Sequence, residues 1–188
     1  FLNDKKIKIN NFMDYSKLYL SEKDDFIYEE IDKRWKLGVT LSKTDKFEQI
    51  SFVNGIATPK GGKHVDFICK QLTTGLKGII EKKHKKTIQE NYIKNYLRIF
   101  IDSVIVNPSF DSQTKERLIT PASKFGSKPV VNEKFLKRVI DKTNLMEKVL
   151  LFSEFKMNKE NKKTDGSKRS KIRDIPKLDD ANWAGTKK

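Results

Sequence analysis

The sequence predicts an α+β fold, mainly a four-stranded antiparallel or mixed sheet backed by long helices, with a split β-α-β element. Three observations carry this expectation. Across residues 26–57 apolar positions recur at the two-residue period of strands, and across 61–86 they recur at helical spacing. Residues 97–106 are apolar on both faces except at Arg98, Asp102 and Ser103. A strand of that kind belongs in the middle of a sheet covered on each side. The order strand, small helix, strand-rich stretch, long helix, central strand and helix pair then stacks helices on a sheet around one core.

In order along the chain, residues 6–9 alternate as a short strand, and Phe12, Tyr15, Leu18 and Tyr19 fall on one stripe of a small helix. Residues 26–31 read as a strand. In the next strand Trp35, Leu37, Val39 and Leu41 alternate with Lys36, Gly38, Thr40 and Ser42, a half-buried pattern, and a turn at 43–46 leads into a strand over 47–57. These strands are expected to form an antiparallel meander with one face in water. In the long helix Val65, Ile68, Cys69, Leu72, Leu76, Ile79 and Ile80 share one stripe, so Cys69 reads as a core residue and not a nucleophile. Asp102, if buried, requires a partner. Further on, Asn132 is the expected N-cap of a helix over 133–141. Asn144 with Glu147 resembles a capping box opening a second helix over 145–155. Residues 1–155 are taken as one domain. Residues 156–188, charged and poor in apolar side chains, are taken as a basic linker, mobile as far as 175.

Composition narrows the function classes. The chain has 188 residues, 36% of them hydrophobic, and a formal net charge of +15, so nucleic acid or nucleotide phosphate is the natural counter-charge. No run of about 18 apolar residues is present to cross a bilayer, and no segment joins a basic face to a broad apolar one, so no membrane partner is expected. The basic residues are clustered: Lys82, Lys83, Lys85 and Lys86 surround His84, and a second run covers 156–173. A single cysteine cannot form an internal disulfide and fits a reducing compartment. The first residue is Phe1, from which an excised fragment is expected. His64 and His84 stand alone in the sequence and offer no paired metal ligands.

The long stretch over 107–131 has little amphipathic period, and a loop of that length inside a compact domain is usually functional. It carries Gln113 and Lys115. An amide can direct a hydrogen bond at a phosphate oxygen while an ammonium supplies compact positive charge, so a phosphate ligand is the leading idea. No catalytic carboxylate followed by asparagine, glycine-rich lid or Walker sequence accompanies them. The Gly61-Gly62-Lys63 run lacks the required spacing and reads as a helix start. ATP hydrolysis by this chain alone is therefore not expected.

Four separated motifs, over 51–66, over 107–116, Phe125-Gly-Ser127 and over 176–182, occur in an order that resembles the eukaryotic-type type IIA DNA topoisomerases. The part resembled is the transducer that follows the ATP-binding domain in GHKL enzymes, whose split β-α-β is shared with one ribosomal small-subunit protein. The resemblance implies that Gln113, Thr114 and Lys115 form the loop that touches the terminal phosphate of ATP, with Lys115 acting in catalysis. It implies that Lys82, Lys83, Lys85 and Lys86 face double-stranded DNA. It further implies ATP and Mg²⁺ in the intact enzyme, with the metal held elsewhere, a homodimer, a nuclear location, and a linker leading to the metal-binding cleavage (TOPRIM) domain. Lys63 departs from the family pattern, which has threonine there. Two other readings stay open: the transducer of a related GHKL DNA-repair ATPase, and a stand-alone nucleic-acid-binding module.

Overall fold

The computed structural model describes residues 8–165. Its elements are α1 (Phe12–Lys17), β1 (Ile27–Asp32), β2 (Trp35–Leu41), β3 (Glu48–Val53), β4 (Ile56–Ala57), α2 (Lys63–His84), α3 (Glu90–Asn95), β5 (Leu97–Ser103), a 3-10 turn (Ala122–Lys124), α4 (Glu133–Lys142) and α5 (Leu145–Asp165). The chain divides into two units, Phe1–Ser153 and Glu154–Lys188. In the second unit the described part is the continuation of α5. That helix covers residues 156–165, which the sequence reading assigned to the linker. The Pro176 motif and the rest of the basic run lie outside the described residues, as do residues 6 and 7 of the strand expected over 6–9, while Lys8 and Ile9 are described and belong to no strand.

The sheet has the order β1-β2-β5-β3-β4 and is mixed. β5 pairs antiparallel with β2 from Leu41↔Leu97 to Trp35↔Ser103, and parallel with β3 from Glu48↔Arg98 to Val53↔Ser103. The expected meander is therefore interrupted: β2 and β3 are consecutive in the chain but β5 enters between them. A parallel neighbour needs a long crossover, and α2 and α3 supply it. The strand expected over 47–57 is two strands. Asn54 (φ 51°) and Gly55 (φ 79°) turn β3 back on β4, the two left-handed residues that a tight hairpin requires.

One face of the sheet carries the core. Leu97, Ile99 and Ile101 of β5 and Trp35, Leu37 and Val39 of β2 meet Val65, Ile68, Leu72, Leu76 and Ile80 of α2, all of them buried. The helical stripe read from the sequence is the one that packs. Cys69 lies among these residues, and burial pushes its thiol up to about 11, which leaves it inert as a nucleophile. Close helix packing comes from Gly75, where an added Cβ would lie 2.4 Å from a Leu136 methyl carbon of α4. Asn132 caps α4 as expected, its side chain accepting from the Phe135 N–H at 2.7 Å.

The other face is not open to water as the alternation of β2 implied, because Gly38 and Thr40 are buried. α1 and an aromatic group cover it: Tyr15 packs edge-on against Phe52, Tyr19 against Phe100, and Phe26 against Phe100. Asp102 of β5 points to this side and finds its partner in Lys36 at 3.4 Å. Arg98, on the same side, pairs with Glu48.

Gly38 is needed where Phe26 crosses the sheet, since an added Cβ would stand 2.6 Å from two ring carbons. Gly38→Ala is expected to destabilise by about 1–3 kcal/mol through overpacking. Adding Phe26→Leu should recover part of that loss, as read from paired denaturant melts. Equal stability of Gly38→Ala and the parent would contradict the packing described.

Candidate functional site

Residues 104–131 contain no strand and no α-helix, yet the segment is tethered along its length. At its start Val104 N–H donates to the Arg34 carbonyl at 2.8 Å, and the side chain of Asn54 both accepts from Ile105 N–H (2.8 Å) and donates to the Ile105 carbonyl (3.0 Å). Near its end Phe125 is buried against Trp35 with ring centroids 5.6 Å apart, and Trp35 Nε1 donates to Ser127 Oγ at 2.8 Å. Gly126 (φ +76°) admits this approach, because a Cβ there would lie 2.4 Å from a Val106 methyl carbon. Gln71 of α2 then holds residues 129–131, donating to the Pro129 carbonyl and accepting from Val131 N–H. Segments that look separate in sequence thus converge on one loop.

Between these anchors the chain forms a narrow finger. Ile119 N–H donates to the Ser109 carbonyl (2.9 Å) and Asp111 N–H to the Arg117 carbonyl (3.1 Å). The tip is a turn closed by Lys115 N–H on the Ser112 carbonyl at 3.1 Å, with the Ser112 and Thr114 hydroxyls 2.8 Å apart. Lys115 has φ +57°, a left-handed conformation unfavourable for a side-chain-bearing residue. Gln113, Thr114 and Lys115 are all exposed. Among the described residues neither the Gln113 amide nor the Lys115 ammonium has a hydrogen-bond or ion-pair partner. An anion approaching the tip would meet donors that need not first break internal bonds.

The helix start expected at Gly61-Gly62-Lys63 is present, with Gly62 as the N-cap of α2, and the finger rests on the same glycine pair. Leu118 N–H donates to the Gly61 carbonyl and Lys63 N–H donates to the Leu118 carbonyl, both at 3.0 Å. Lys60 N–H donates to the Glu116 carbonyl at 3.0 Å, and the Lys60 ammonium lies 2.5 Å from the Glu116 carboxylate. That hydrogen bond, and then the carboxylate's charge, raises the Lys60 ammonium pKa. α2 has no side-chain N-cap. A finger carbonyl takes one of its otherwise unpaired N–H groups.

Below the glycines lies a buried polar cluster. The Ser51 and Thr58 hydroxyls are 2.6 Å apart, Thr58 Oγ1 donates to the Ser51 carbonyl at 3.0 Å, and His64 Nε2 sits 3.2 Å from Thr58 Oγ1. The Thr58 carbonyl accepts from Gly61 N–H at 2.8 Å. His64, which stood alone in the sequence, is therefore a support of the turn that seats the finger. Among the described residues its Nδ1 has no partner, and burial lowers its pKa to about 4, so the ring is neutral at pH 7. The signal was available in Ser51, Thr58 and His64 together, but only the hairpin at Asn54-Gly55 brings them into contact.

The lysine group sits at the other end of α2. Lys82 and Lys83 occupy the last turn, and Lys85 is the C-cap in the left-handed conformation, with its N–H on the Glu81 carbonyl at 2.8 Å. Lys82, Lys83, Lys85 and Lys86 are all exposed. Cations there complement the negative end of the helix dipole. A helix of 22 residues is about 33 Å long, so the structure does not bring the finger and the lysine group together but holds them apart on one rigid element. No group of three or more potential metal ligands occurs among the described residues.

Comparison with known proteins gives a consistent result. The family model described as DNA gyrase B matches residues 2–169. The chain is 43% identical over 196 aligned positions to DNA topoisomerase 2 of Bombyx mori, covering all of this chain and 12% of that protein. Among solved structures it is similar to the ATPase and transducer domains of DNA topoisomerase II from Balamuthia mandrillaris, with 40% identity and a TM-score of 0.75 over 80% of this chain and 38% of that one. It is also similar to the ATPase region of Saccharomyces cerevisiae topoisomerase II, with 38% identity and a TM-score of 0.72 over 81% of this chain and 39% of that one. The chain thus spans about one eighth of the curated relative's length.

His64 makes stability depend on pH. Its folded pKa is depressed from 6.5 to about 4, so its contribution is fully present above pH 6.5 and is lost as the pH falls toward 4. The loss attributable to it is about 3 kcal/mol, from roughly 1.4 kcal/mol per pKa unit. Melts of the chain at stepped pH should show His64→Gln with a flatter slope than the parent across that window. Parallel slopes would show that the ring is not held neutral by burial.

Proposed function

Because the chain belongs to the DNA gyrase B and DNA topoisomerase 2 family, we propose that it is the transducer segment of an ATP-dependent type II DNA topoisomerase. In this reading the tip at 112–115 meets the terminal phosphate of ATP held by an adjoining domain. The observation that carries the proposal is the presentation of Gln113 and Lys115, exposed and unpartnered among the described residues, on a turn whose base is tied to the sheet and to α2.

The chemistry follows from the side chains. Lys115 brings a positive charge to the phosphate whose oxygens gain negative charge as hydrolysis proceeds, and Gln113 adds a directed amide donor. A charge-assisted contact of this type contributes roughly 1.5–3 kcal/mol. Adenine, ribose and the Mg²⁺ that accompanies ATP belong to the adjoining domain in this proposal. Departure of the phosphate removes the anion that the finger engages, and the two domains are released from one another. Lys82, Lys83, Lys85 and Lys86 meet double-stranded DNA through its phosphates, adding affinity without reading sequence. Action as a homodimer in the nucleus goes with this reading, as does a basic linker over 156–188 leading toward the cleavage domain.

In a full-length enzyme carrying this segment, Lys115→Ala is expected to lower turnover of ATP by about 10²–10³ while nucleotide affinity changes far less. The stability of the segment should stay within roughly 0.5 kcal/mol of the parent, since the side chain is exposed. Steady-state hydrolysis, nucleotide binding and a melting curve on one variant make the comparison. Unchanged turnover would end the phosphate-sensing role.

The lysine group is tested by salt. Reversing the charge of Lys82, Lys83, Lys85 and Lys86 together should weaken binding to double-stranded DNA and flatten the dependence of log K on log salt. A slope equal to that of the parent would reduce the group to a solvated helix end.

A further inference from the structure

We propose that Gly62 and Glu116 are positioning residues for Lys115, acting through the backbone clasp that seats the finger on the start of α2. This rests on the phosphate-contacting role of Lys115 given above, and it assigns to the glycine pair and the Lys60–Glu116 pair a part in the same reaction. Neither residue touches the phosphate in this proposal.

Three features of the geometry point there. First, the approach leaves no room for any side chain at position 62: with φ +129°, an added Cβ would lie 2.3 Å from the Leu118 carbonyl oxygen and 2.5 Å from its nitrogen. Those are backbone atoms, so the finger itself must move to accommodate one. At Gly61 the nearest atoms to an added Cβ are 3.5 Å away, an ordinary contact, so the close approach is specific to Gly62. Second, the clasp is continuous with the tip. Leu118 lies three residues after Lys115, Glu116 is its immediate neighbour, and both are bonded to residues 60–63. A lysine at φ +57° keeps that conformation only when its surroundings enforce it, and the clasp at 116–118 with the turn at 112–115 does so.

Third, the charges are arranged for an anion. Glu116 stands beside the lysine that must attract a phosphate, and a free carboxylate there would oppose it. Lys60, 2.5 Å away, takes up that charge and holds the carboxylate on the α2 side of the finger. The same contact draws residue 116 down onto the clasp. The finger carbonyl that caps α2 also means that the tip and the helix start are one mechanical unit.

The test uses a full-length enzyme carrying this segment and compares Gly62→Ala, Lys115→Ala and the double variant in steady-state ATP hydrolysis and nucleotide binding. Gly62→Ala is expected to lower kcat by about 10-fold or more, since displacements near 1 Å can cost about 10²-fold, and to shift nucleotide Kd by less than about 3-fold. The double variant should be no slower than Lys115→Ala alone, because a residue that acts only through Lys115 has nothing left to position. A purely structural role would instead make the two losses multiply, and that result overturns the proposal. Wild-type turnover in Gly62→Ala beside slow Lys115→Ala overturns it too, while leaving the phosphate contact intact. Wild-type turnover in both variants overturns the phosphate contact and the positioning together. If Gly62→Ala does not fold, Glu116→Lys takes its place. It should slow turnover by about 3-fold, with recovery in the swapped pair Lys60→Glu/Glu116→Lys; slowing without recovery, or no slowing, counts against the proposal.

Discussion

The finger that carries Gln113 and Lys115 hangs on one close approach of two backbones, Leu118 against Gly61 and Gly62. The approach exists because position 62 has no side chain and adopts a dihedral that other residues rarely reach. Hydrogen bonds run both ways across it, one of them satisfying a helix N–H that no side chain caps. A buried cluster of Ser51, Thr58 and His64 fixes the glycine turn from below. Burying so many polar groups is tolerable only because nearly all of them find partners in one another.

The sheet gives that junction its rigidity. β5 stands between an antiparallel and a parallel neighbour, and its end delivers the chain to the finger. The crossover from β3 to β5 is α2, so the element that seats the finger is also the one whose apolar stripe fills the core. A displacement of the finger therefore cannot be absorbed locally without disturbing a helix packed on the whole sheet. The lysine group at the far end of that helix is about 33 Å away, a separation set by 22 residues of regular helix. One rod thus joins the proposed nucleotide contact and the proposed DNA contact, a geometry suited to a relay between an ATP site and a DNA path.

Much of this was legible beforehand because it follows from local rules. The helical stripe from Val65 to Ile80, the Asn132 cap and the core place of Cys69 each depend on periodicity or on a single residue's preference, and each is found where expected; the central strand expected over 97–106 is present but ends at Ser103. Two local signals were passed over. Asn54-Gly55 marks a hairpin by its need for positive φ, and it divides what had read as one strand. The charge-rich stretch after Lys156 continues as helix to Asp165, in keeping with the helix propensity of lysine, glutamate and methionine.

By itself, then, the sequence determined the main strands and long helices, the buried stripe, the family and the residues at the finger tip, because these rest on composition, spacing and short motifs, while the short helix α3 and the division of β3 from β4 were not read from it. Only the tertiary structure decided that β5 enters between β2 and β3, that both faces of β2 are covered, and that the helix start at Gly61-Gly62 is also a socket for the finger. The reason is physical. Strand order and backbone-to-backbone approach depend on partners far apart in the chain, such as Gly62 with Leu118 or Asn54 with Ile105, and the absence of a side chain at a glycine leaves no trace in sequence of what occupies its place.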